Sequence, residues 1–283
     1  MKKIPSKIFI DGGDPEETKK AKNLLGFVDG QTTNPTLISQ NPEIKKRIER
    51  GEKLTKEEAN LFYRKVVAEI AEITSGPISV EVFANKETGA KEMFKGAKEM
   101  ARWAPNVYIK LPITKQGLEA ARLAIKWGIP VNMILCFSQE QAAAVYVATK
   151  GTKKPVFVSP FVGRLDDRGE DGMSLVKNIL LMYKKGDGHT LPLTASVRHL
   201  NHLLFALKLS CPLITVPFRV ISEWAAKDFI LPDENFIYQK GNLKPIPYQE
   251  ISLEKKFPEY NIYHDLTEIG IEKFSADWQA IIK

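Results

Sequence analysis

Cysteine is the scarcest of the residues that bind metals in this sequence, with only Cys136 and Cys211 among 283 residues. Neither cysteine belongs to the spacing of a zinc site or of a redox pair. Both lie in apolar runs, where cysteine packs as a small core residue. Glycine-rich motifs that bind dinucleotides or nucleotide phosphates are also missing after every predicted strand. We therefore expect a protein without a metal ion and without a bound cofactor.

Long apolar runs are missing as well. The first five residues lack the apolar centre of a signal peptide, and no run approaches the length that spans a membrane. These absences predict a cytoplasmic protein that has no membrane partner.

Positive charge is in excess, since 41 lysines and arginines face 34 aspartates and glutamates and leave a formal net charge of +7. A basic protein favours anionic partners, which include phosphorylated metabolites and nucleic acids. The densest basic stretch, residues 45–53, is interleaved with glutamates, as on a solvated helix face. The sequence contains no platform of aromatic and basic residues for single-stranded nucleic acid. Charge alone does not decide between a phosphorylated metabolite and a nucleic acid, but the missing platform leads us to expect no nucleic-acid partner.

Short apolar runs alternate with helical patterns for eight rounds between residues 7 and 228. The predicted strands are residues 7–11, 26–29, 77–83, 106–112, 130–137, 156–164, 191–196 and 212–216. This alternation without a dinucleotide motif favours a closed parallel barrel, and a chain of 283 residues suits one such barrel. The sequence therefore predicts an α/β fold, a single (β/α)8 TIM barrel.

The alternation ends near residue 228, and the rest of the chain differs in character. Residues 230–263 are spaced by prolines and contain many aromatic residues, and residues 266–281 have a helical pattern. We predict one domain over residues 1–283, with the barrel at about 7–228 and a C-terminal irregular and helical extension at about 229–283. The extension could close its own barrel or cover a neighbouring subunit.

Lys110 stands out because it lies at the carboxyl end of a short apolar strand. Alternation places Val107, Ile109 and Leu111 on one face and Lys110 on the other, and Pro112 then ends the strand. Because an unpaired buried ammonium is costly, such a lysine must reach solvent, pair with a carboxylate or take part in chemistry. A desolvated amine is a nucleophile that can form a Schiff base with a carbonyl substrate. The strand alone leaves these roles open.

Polar residues also follow the other predicted strands. In a parallel barrel the carboxyl ends of all strands converge on one mouth. We expect this mouth to gather Asp11, Asn34, Glu81, Lys110, Asn132, Ser159, Arg164, Ser196 and Arg198. Each residue alone has an ordinary structural explanation, such as a turn at Asn34 before a proline. Their shared position at strand ends makes a common site the better interpretation.

Four segments resemble the transaldolase family: Thr32-Thr-Asn-Pro-Thr36, Tyr108-Ile-Lys-Leu-Pro112, Val158-Ser-Pro-Phe-Val-Gly-Arg164 and Ala195-Ser-Val-Arg198. The resemblance covers roughly residues 7–228 and recurs at most strands. Members of this family are class I aldolase-type (β/α)8 barrels, and the family includes the related fructose-6-phosphate aldolases. The resemblance implies transfer of a dihydroxyacetone unit between sugar phosphates, as in the pentose phosphate pathway. We also expect a homo-oligomer.

The resemblance implies catalytic roles for three of the strand-end residues. It implies that Lys110 is the Schiff-base lysine, that Asp11 shuttles the proton for carbon–carbon cleavage and that Glu81 works through a water molecule. It also implies that Asn34 and Asn132 hold hydroxyl groups of the donor sugar. These roles agree with the needs of a retro-aldol step, which requires an iminium electron sink and a base for the substrate hydroxyl.

Arg164 lies at the end of one predicted strand, Arg198 follows another, and Ser196 lies close to Arg198 in the sequence. A retro-aldol reaction on a sugar phosphate also needs a grip on the phosphate, which guanidinium groups bind through paired hydrogen bonds. We therefore expect these three residues to bind the phosphate. The resemblance adds Ser159, as a supporting serine at the lysine, together with Thr33 and Phe161 as further substrate-binding residues.

Two residues favour transfer over simple cleavage. Glu81 and Phe161 match the transferase branch of the family, whereas the aldolase branch has glutamine and tyrosine. Ile134 departs from the family pattern, in which a threonine helps to hold the catalytic water. Alternation places Ile134 on the side of Asn132, so it should face the site without donating a hydrogen bond. Two alternatives stay open: a fructose-6-phosphate-type aldolase, and a barrel that binds phosphosugars without turnover.

Overall fold

The computed structural model describes residues 4–283, and its centre is a closed barrel of eight parallel strands. Residues 1–3, which entered the signal-peptide interpretation, lie outside the described residues. The strands are β1 (Lys7–Asp11), β2 (Gly30–Thr32), β3 (Ile78–Glu81), β4 (Val107–Pro112), β5 (Val131–Cys136), β6 (Val156–Pro160), β7 (Glu170–Asp171), β8 (Thr190–Thr194), β9 (Leu213–Val216) and β10 (Lys244–Pro245). All but β7 and β10 belong to the barrel, which closes where β9 pairs with β1. The predicted (β/α)8 TIM barrel is confirmed.

Helices connect the strands, and most begin at a side chain that caps free backbone N–H groups of the first turn. They are α1 (Pro15–Leu25), α2 (Pro35–Ser39), α3 (Pro42–Glu49), α4 (Lys56–Ile73), α5 (Ala90–Met100), α6 (Lys115–Lys126), α7 (Gln139–Ala148), α8 (Val162–Asp166), α9 (Gly172–Tyr183), α10 (Leu200–Lys208), α11 (Phe218–Ala225) and α12 (Asp265–Ala280), with a 3-10 turn at Phe257–Glu259. Asp14, Asn34 and Asn41 cap helices that have proline in the first turn, where an N–H would lack a partner. None of the helices within residues 4–283 combines the length and apolar character needed to cross a membrane.

The second barrel strand lies later in the chain than residues 26–29, where the sequence pattern placed it. Gly26 instead ends α1 in the left-handed conformation, with a φ of 79°. The side chain of Asp29 then accepts a hydrogen bond from the Ile8 N–H at 2.8 Å, and the strand begins at Gly30. Residues 26–29 resemble a strand in sequence because of their short apolar run, but in the structure they form a helix cap and an anchored loop.

Aromatic side chains fill the barrel interior. The ring of Tyr108 in β4 stacks on that of Phe157 in β6, with 4.3 Å between ring centres. Phe9 of β1 meets Phe157 edge-on at 6.1 Å. Because side chains alternate along a strand, the next inward position on β4 is Lys110. The lysine therefore stands on an apolar floor that shields it from solvent.

The C-terminal extension packs on its own barrel. Its strand β10 pairs with β7, and α12 packs against α2 and β5 near the mouth. Thr267 of α12 donates a hydrogen bond to the carbonyl of Leu135 in β5 at 2.9 Å. Beyond α12, Lys283 pairs with the backbone of Leu54. Of the two arrangements that the sequence left open, the structure has α12 closing its own barrel. The single-domain boundaries stay a prediction.

Candidate active site

A cavity of about 180 Å³ opens at the carboxyl ends of the barrel strands. Nine of the predicted site residues line it: Lys110, Asp11, Asn34, Asn132, Ser159, Phe161, Arg164, Ser196 and Arg198. The other two, Thr33 and Glu81, lie outside its wall. The wall also contains Thr32, Thr36, Leu37, Ala195, Thr215, Lys273 and Phe274, which the sequence analysis did not single out. The strand ends therefore converge as a parallel barrel requires.

Lys110 is enclosed, with 3% of its surface exposed. Its Nζ donates a hydrogen bond to the carbonyl of Thr33 at 2.6 Å and lies 3.3 Å from Oε2 of Glu81. The contact with Glu81 is electrostatic, and Oε2 has no hydrogen-bond donor among residues 4–283. Barrel register creates the pair, because Glu81 of β3 lies directly beside Lys110 of β4. An enclosed amine oriented by two oxygen atoms is suited to nucleophilic chemistry.

Glu81 is buried behind this amine. Burial raises its pKa to about 7, and the positive charge of Lys110 opposes part of that rise. Near neutral pH the carboxyl group is therefore present in both protonation states, as a proton carrier requires. Because Glu81 contacts the amine without lining the cavity, it can serve the lysine nitrogen while leaving the cavity to a substrate.

Asp11 is oriented by a pair of threonines. Oγ1 of Thr32 donates to Oδ1 of Asp11 at 2.7 Å and lies 2.6 Å from Oγ1 of Thr215. Since Thr32 uses its proton on Asp11, Thr215 supplies the proton of the second bond. Burial raises the pKa of Asp11, while the charge of Lys110 and the bond from Thr32 oppose the rise. A carboxylate with a raised pKa at the cavity wall is suited to act as a general base.

Asn132 links two buried serines. Its Nδ2 donates to Oγ of Ser79 at 3.1 Å, and its Oδ1 accepts from Oγ of Ser159 at 2.7 Å. Strand register places Asn132 of β5 beside Lys110 of β4. Ser159 therefore contacts Asn132 and fixes the orientation of that side chain, which lies beside Lys110. Asn132 has a second amide N–H that can donate to a substrate hydroxyl.

Asn34 combines the turn role and the site position that the sequence suggested. Its Oδ1 accepts a hydrogen bond from the N–H of Leu37 at 2.8 Å and so caps α2. The amide oxygen is occupied by this cap, whereas the Nδ2 group remains a donor for a substrate hydroxyl. The cap also fixes the side chain at the cavity wall.

Arg164 lies between two aromatic faces. Its guanidinium is 5.6 Å from the ring centre of Phe161 and 5.1 Å from that of Phe274. Cation–π contacts hold a guanidinium without consuming its N–H groups. Gly270 of α12 makes this packing possible, because a Cβ there would lie 2.8 Å from Nη1 of Arg164 and 2.4 Å from Leu135. The fork of Arg164 is therefore held in place with donors available for an anion.

Arg198 and Ser196 come from the loop after β8. Nη2 of Arg198 lies 3.0 Å from Oδ2 of Asp167, and the side chain crosses Gly163, where a Cβ would come within 2.4 Å of its Nε. Ser196 has the left-handed φ of 58°, which a serine seldom adopts, and its carbonyl accepts from the N–H of Gly163 at 3.1 Å. Two guanidinium groups and a hydroxyl in one cavity form a candidate phosphate site.

Thr33, which we expected to bind substrate, lies outside the cavity wall, and that role stays a prediction. Its Oγ1 donates to the carbonyl of Ser79 at 2.9 Å and lies 2.6 Å from the hydroxyl of Tyr63. That hydroxyl accepts from the N–H of Glu81 at 3.1 Å, and burial raises the pKa of Tyr63. The side chain of Thr33 is directed into this buried network, and its carbonyl orients Lys110. Tyr63 lies within a helix, so no strand pattern pointed to it.

The other wall residues that the sequence analysis did not name as site residues come from the barrel strands and their ends, from α2 (Thr36 and Leu37) and from α12. Thr32 and Thr215 lie on barrel strands, and the rule about polar residues near strand ends could have found them. Lys273 and Phe274 belong to α12. They reach the cavity only because the extension folds back over the mouth, which no local pattern predicts.

Ile134 is buried, with 1% of its surface exposed, and belongs to the apolar core. It pairs with Pro112 in register, but it is not part of the cavity wall. The regular alternation of β5 stops immediately afterwards, because Leu135 has a φ of 59° and the pairing with β6 shifts there. The expected exposure of Ile134 to the cavity is therefore not found, and its influence on Glu81 stays a prediction.

One group of side chains in the described part of the chain has ligand atoms close enough for a metal ion. Asp166, His199 and His202 offer atoms that all lie within 4.8 Å of one another. Nδ1 of His202 accepts from the N–H of Arg198 at 3.3 Å, and Nε2 of His202 lies 2.7 Å from Oδ2 of Asp166. These contacts join α8 to α10.

Comparisons with known proteins point to one family. The family model described as Transaldolase/Fructose-6-phosphate aldolase matches residues 8–283. A protein of Methanococcus vannielii named "Probable transaldolase" is 37% identical over 277 residues, covering 98% of this chain and 99% of its own length. A protein of the same name from Methanococcus maripaludis (strain C7) is 36% identical over 274 residues, with 97% and 98% covered. Another from Dehalococcoides mccartyi is 34% identical over 278 residues, with 98% and 100% covered.

Proposed function

Because the chain belongs to the transaldolase/fructose-6-phosphate aldolase family, we propose that it transfers a dihydroxyacetone unit between sugar phosphates through a Schiff base on Lys110. The observation that carries this proposal is the environment of Lys110. The amine is buried at the end of β4, between the carbonyl of Thr33 and Glu81, and it lines a cavity that also contains Arg164 and Arg198. One cavity thus contains an amine suited to attack a ketone and two guanidinium groups suited to bind a phosphate.

In this proposal the reaction begins at Lys110. Its amine attacks the ketone carbon of the donor, and the resulting carbinolamine loses water to give an iminium ion. Glu81, 3.3 Å from Nζ, is close enough to exchange protons with the nitrogen, directly or through a water molecule. Its pKa of about 7 suits both the dehydration and the later hydrolysis.

Asp11 is the base for carbon–carbon cleavage. Removal of the proton from the donor hydroxyl beside the breaking bond releases an aldehyde phosphate and leaves an enamine on Lys110. The enamine then attacks an acceptor aldehyde, and Asp11 returns the proton. Asn34 and Asn132 donate amide hydrogen bonds to the donor hydroxyls. The phosphate binds to Arg164, Arg198 and Ser196, which orients the sugar over the amine.

An assay of products with and without an acceptor tests this proposal. With fructose 6-phosphate as donor, we expect turnover that requires erythrose 4-phosphate, in line with Glu81 and Phe161. Lys110→Met should lower this activity by at least about a thousandfold, because the nucleophile is lost. Lys115→Met is the matched control, since Lys115 lies exposed at the start of α6 and should behave as wild type.

Two results would point elsewhere. Release of aldehyde at the same rate without an acceptor would indicate an aldolase. Binding of sugar phosphate without either reaction would indicate a barrel that has lost turnover. A role in the pentose phosphate pathway, a cytoplasmic location and a homo-oligomeric state stay predictions.

A further inference from the structure

Lys273 is a cation of the cavity wall that comes from outside the barrel. It lies on α12 and lines the same cavity as Arg164 and Arg198. Its side chain is 58% exposed and forms an ion pair with Asp277, one helical turn later. An ordinary surface pair of this kind contributes little to stability. The position of the pair at the cavity, and the second partner of Asp277, suggest another role.

Asp277 is also held by a donor from α2, the helix against which α12 packs. Oγ1 of Thr36, in α2, donates a hydrogen bond to Oδ2 of Asp277, while Lys273 contacts Oδ1. The Asp277 side chain is only 17% exposed, so it depends on such partners. If Lys273 turned away, the carboxylate would keep the hydroxyl of Thr36. Lys273 is therefore able to change partners without leaving Asp277 unpaired.

The backbone that carries Lys273 is fixed relative to Arg164. Phe274, the next residue, packs its ring 5.1 Å from the Arg164 guanidinium. Gly270 lies close against Nη1 of the same arginine, and Thr267 anchors α12 to β5. The start of the Lys273 side chain is thus held beside Arg164, while its ammonium remains free to move.

The Lys273 ammonium could neutralise part of the negative charge of a substrate phosphate. A phosphate near neutral pH carries close to two negative charges, and Arg198 already shares its charge with Asp167 at 3.0 Å. Arg164 and Arg198 therefore leave part of the dianion's charge without compensation. A lysine ammonium binds phosphate as a mobile point charge and complements the fixed guanidinium forks.

We propose, on the basis of the function proposed above, that Lys273 is a third cationic ligand of the substrate phosphate and selects for phosphorylated sugars. When the phosphate enters, the ammonium moves from Asp277 to a phosphate oxygen, and Thr36 retains Asp277. The C-terminal helix thereby becomes part of the phosphate site, with Lys273 providing the contact that the barrel strands lack.

The test is a phosphorus NMR titration of the full-length protein with inorganic phosphate. We expect Lys273→Met to raise the dissociation constant about 3- to 10-fold, as for a contact that remains partly solvated. Lys273→Arg should stay within about twofold of wild type, because the charge is kept. In steady-state kinetics, Lys273→Met should raise KM for fructose 6-phosphate more than KM for unphosphorylated dihydroxyacetone.

Lys86→Met is the matched control. Lys86 forms an ion pair with Glu272, which lies on α12 next to Lys273. The Lys86 side chain is 56% exposed and does not line the cavity. The Lys86→Met substitution removes the same charge from the same region of the surface. The control should therefore bind inorganic phosphate as wild type does.

The outcomes separate this inference from the function on which it rests. If Arg198→Ala weakens phosphate binding and Lys273→Met does not, the inference is overturned while the proposed phosphate site stands. If Lys86→Met loses as much affinity as Lys273→Met, the effect is general surface charge, and the inference is again overturned. If neither Arg198→Ala nor Lys273→Met changes binding, the phosphate site itself fails. The titration requires no turnover, so it is decisive even if Lys110 proves unreactive.

Discussion

At the scale of single residues, burial changes the pKa of Glu81, the carboxyl group beside Lys110. Its pKa rises to about 7 because desolvation outweighs the attraction of Lys110. Between pH 4.5, the usual pKa of a glutamate, and pH about 7, Glu81 therefore keeps a proton in the folded protein that it has released in the unfolded chain. The contribution of this group to stability is present at lower pH and is lost as pH rises through that window.

We predict that Glu81→Gln removes this pH dependence. Wild type should lose about 2–3 kcal/mol more unfolding free energy than the variant between pH 4.5 and pH 7.5, at about 1.4 kcal/mol per pKa unit. Urea unfolding at constant ionic strength over a series of pH values measures the difference. Glu57→Gln, at an exposed position of α4, should follow the wild-type curve. Parallel curves for wild type and Glu81→Gln would show that Glu81 has no raised pKa.

A second prediction at this scale concerns Ile134 and the proton exchange that we propose for Glu81. An isoleucine cannot orient a water molecule for Glu81, so dehydration and hydrolysis of the lysine adduct should limit turnover. We predict that Ile134→Thr raises kcat roughly tenfold, a part of what general acid–base catalysis supplies. The same change should cost about 1–3 kcal/mol of stability, because a buried apolar side chain gains a hydroxyl.

The two effects of Ile134→Thr are measured separately. Turnover is expressed per folded molecule, and stability is followed by thermal unfolding. Because Ile134 is absent from the cavity wall, an unchanged or lower kcat in a folded variant would mean that it serves only the core. Ile134→Val is the control, since it removes volume without adding a hydroxyl.

At the scale of elements, α12 connects the C-terminal extension to the site. Gly270 allows the helix to approach Leu135 and Arg164, and Thr267 ties it to the Leu135 carbonyl. Phe274 then completes the aromatic sandwich around Arg164. The helix therefore fixes the orientation of Arg164, which we propose binds the phosphate, and it contributes Lys273 and Phe274 to the cavity wall.

We predict that Gly270→Ala destabilises the protein by about 1–2 kcal/mol and raises KM for phosphorylated substrates. The new Cβ would overlap Leu135 and Arg164, and overpacking of this kind outweighs the gain in helix propensity. Gly96→Ala in α5 is the matched control, because its Cβ would lie 3.7 Å from Val82, an ordinary contact. The control should gain up to about 1 kcal/mol in thermal or urea unfolding. Equal stabilisation of both variants would contradict the close packing of α12.

Most elements could be predicted from local patterns. Barrel strands read as short apolar runs because both faces are buried, and helices begin at recognisable caps. The strand β2 was misplaced because residues 26–29 are apolar yet form a cap and a loop, while Gly30–Thr32 is short and partly polar. The position of α12 could not be predicted, since it depends on a fit between Gly270 and side chains distant in sequence.

At the scale of the whole molecule, closure of the barrel assembles the site. Residues from separate strands, such as Asp11, Lys110 and Asn132, meet because parallel strands end at one mouth. This rule allowed most of the site to be predicted from sequence. It did not distinguish a side chain in the cavity from one beside it: Glu81, which we expected at the mouth, contacts Lys110 but lies outside the cavity wall.

The most direct test of the central claim is to trap the covalent intermediate. The protein is incubated with fructose 6-phosphate, reduced with borohydride, digested and mapped by mass spectrometry. We predict that a stable adduct of the dihydroxyacetone unit forms on Lys110 and is absent from Lys110→Met. An adduct on another lysine, or turnover without any adduct, would contradict the Schiff-base account.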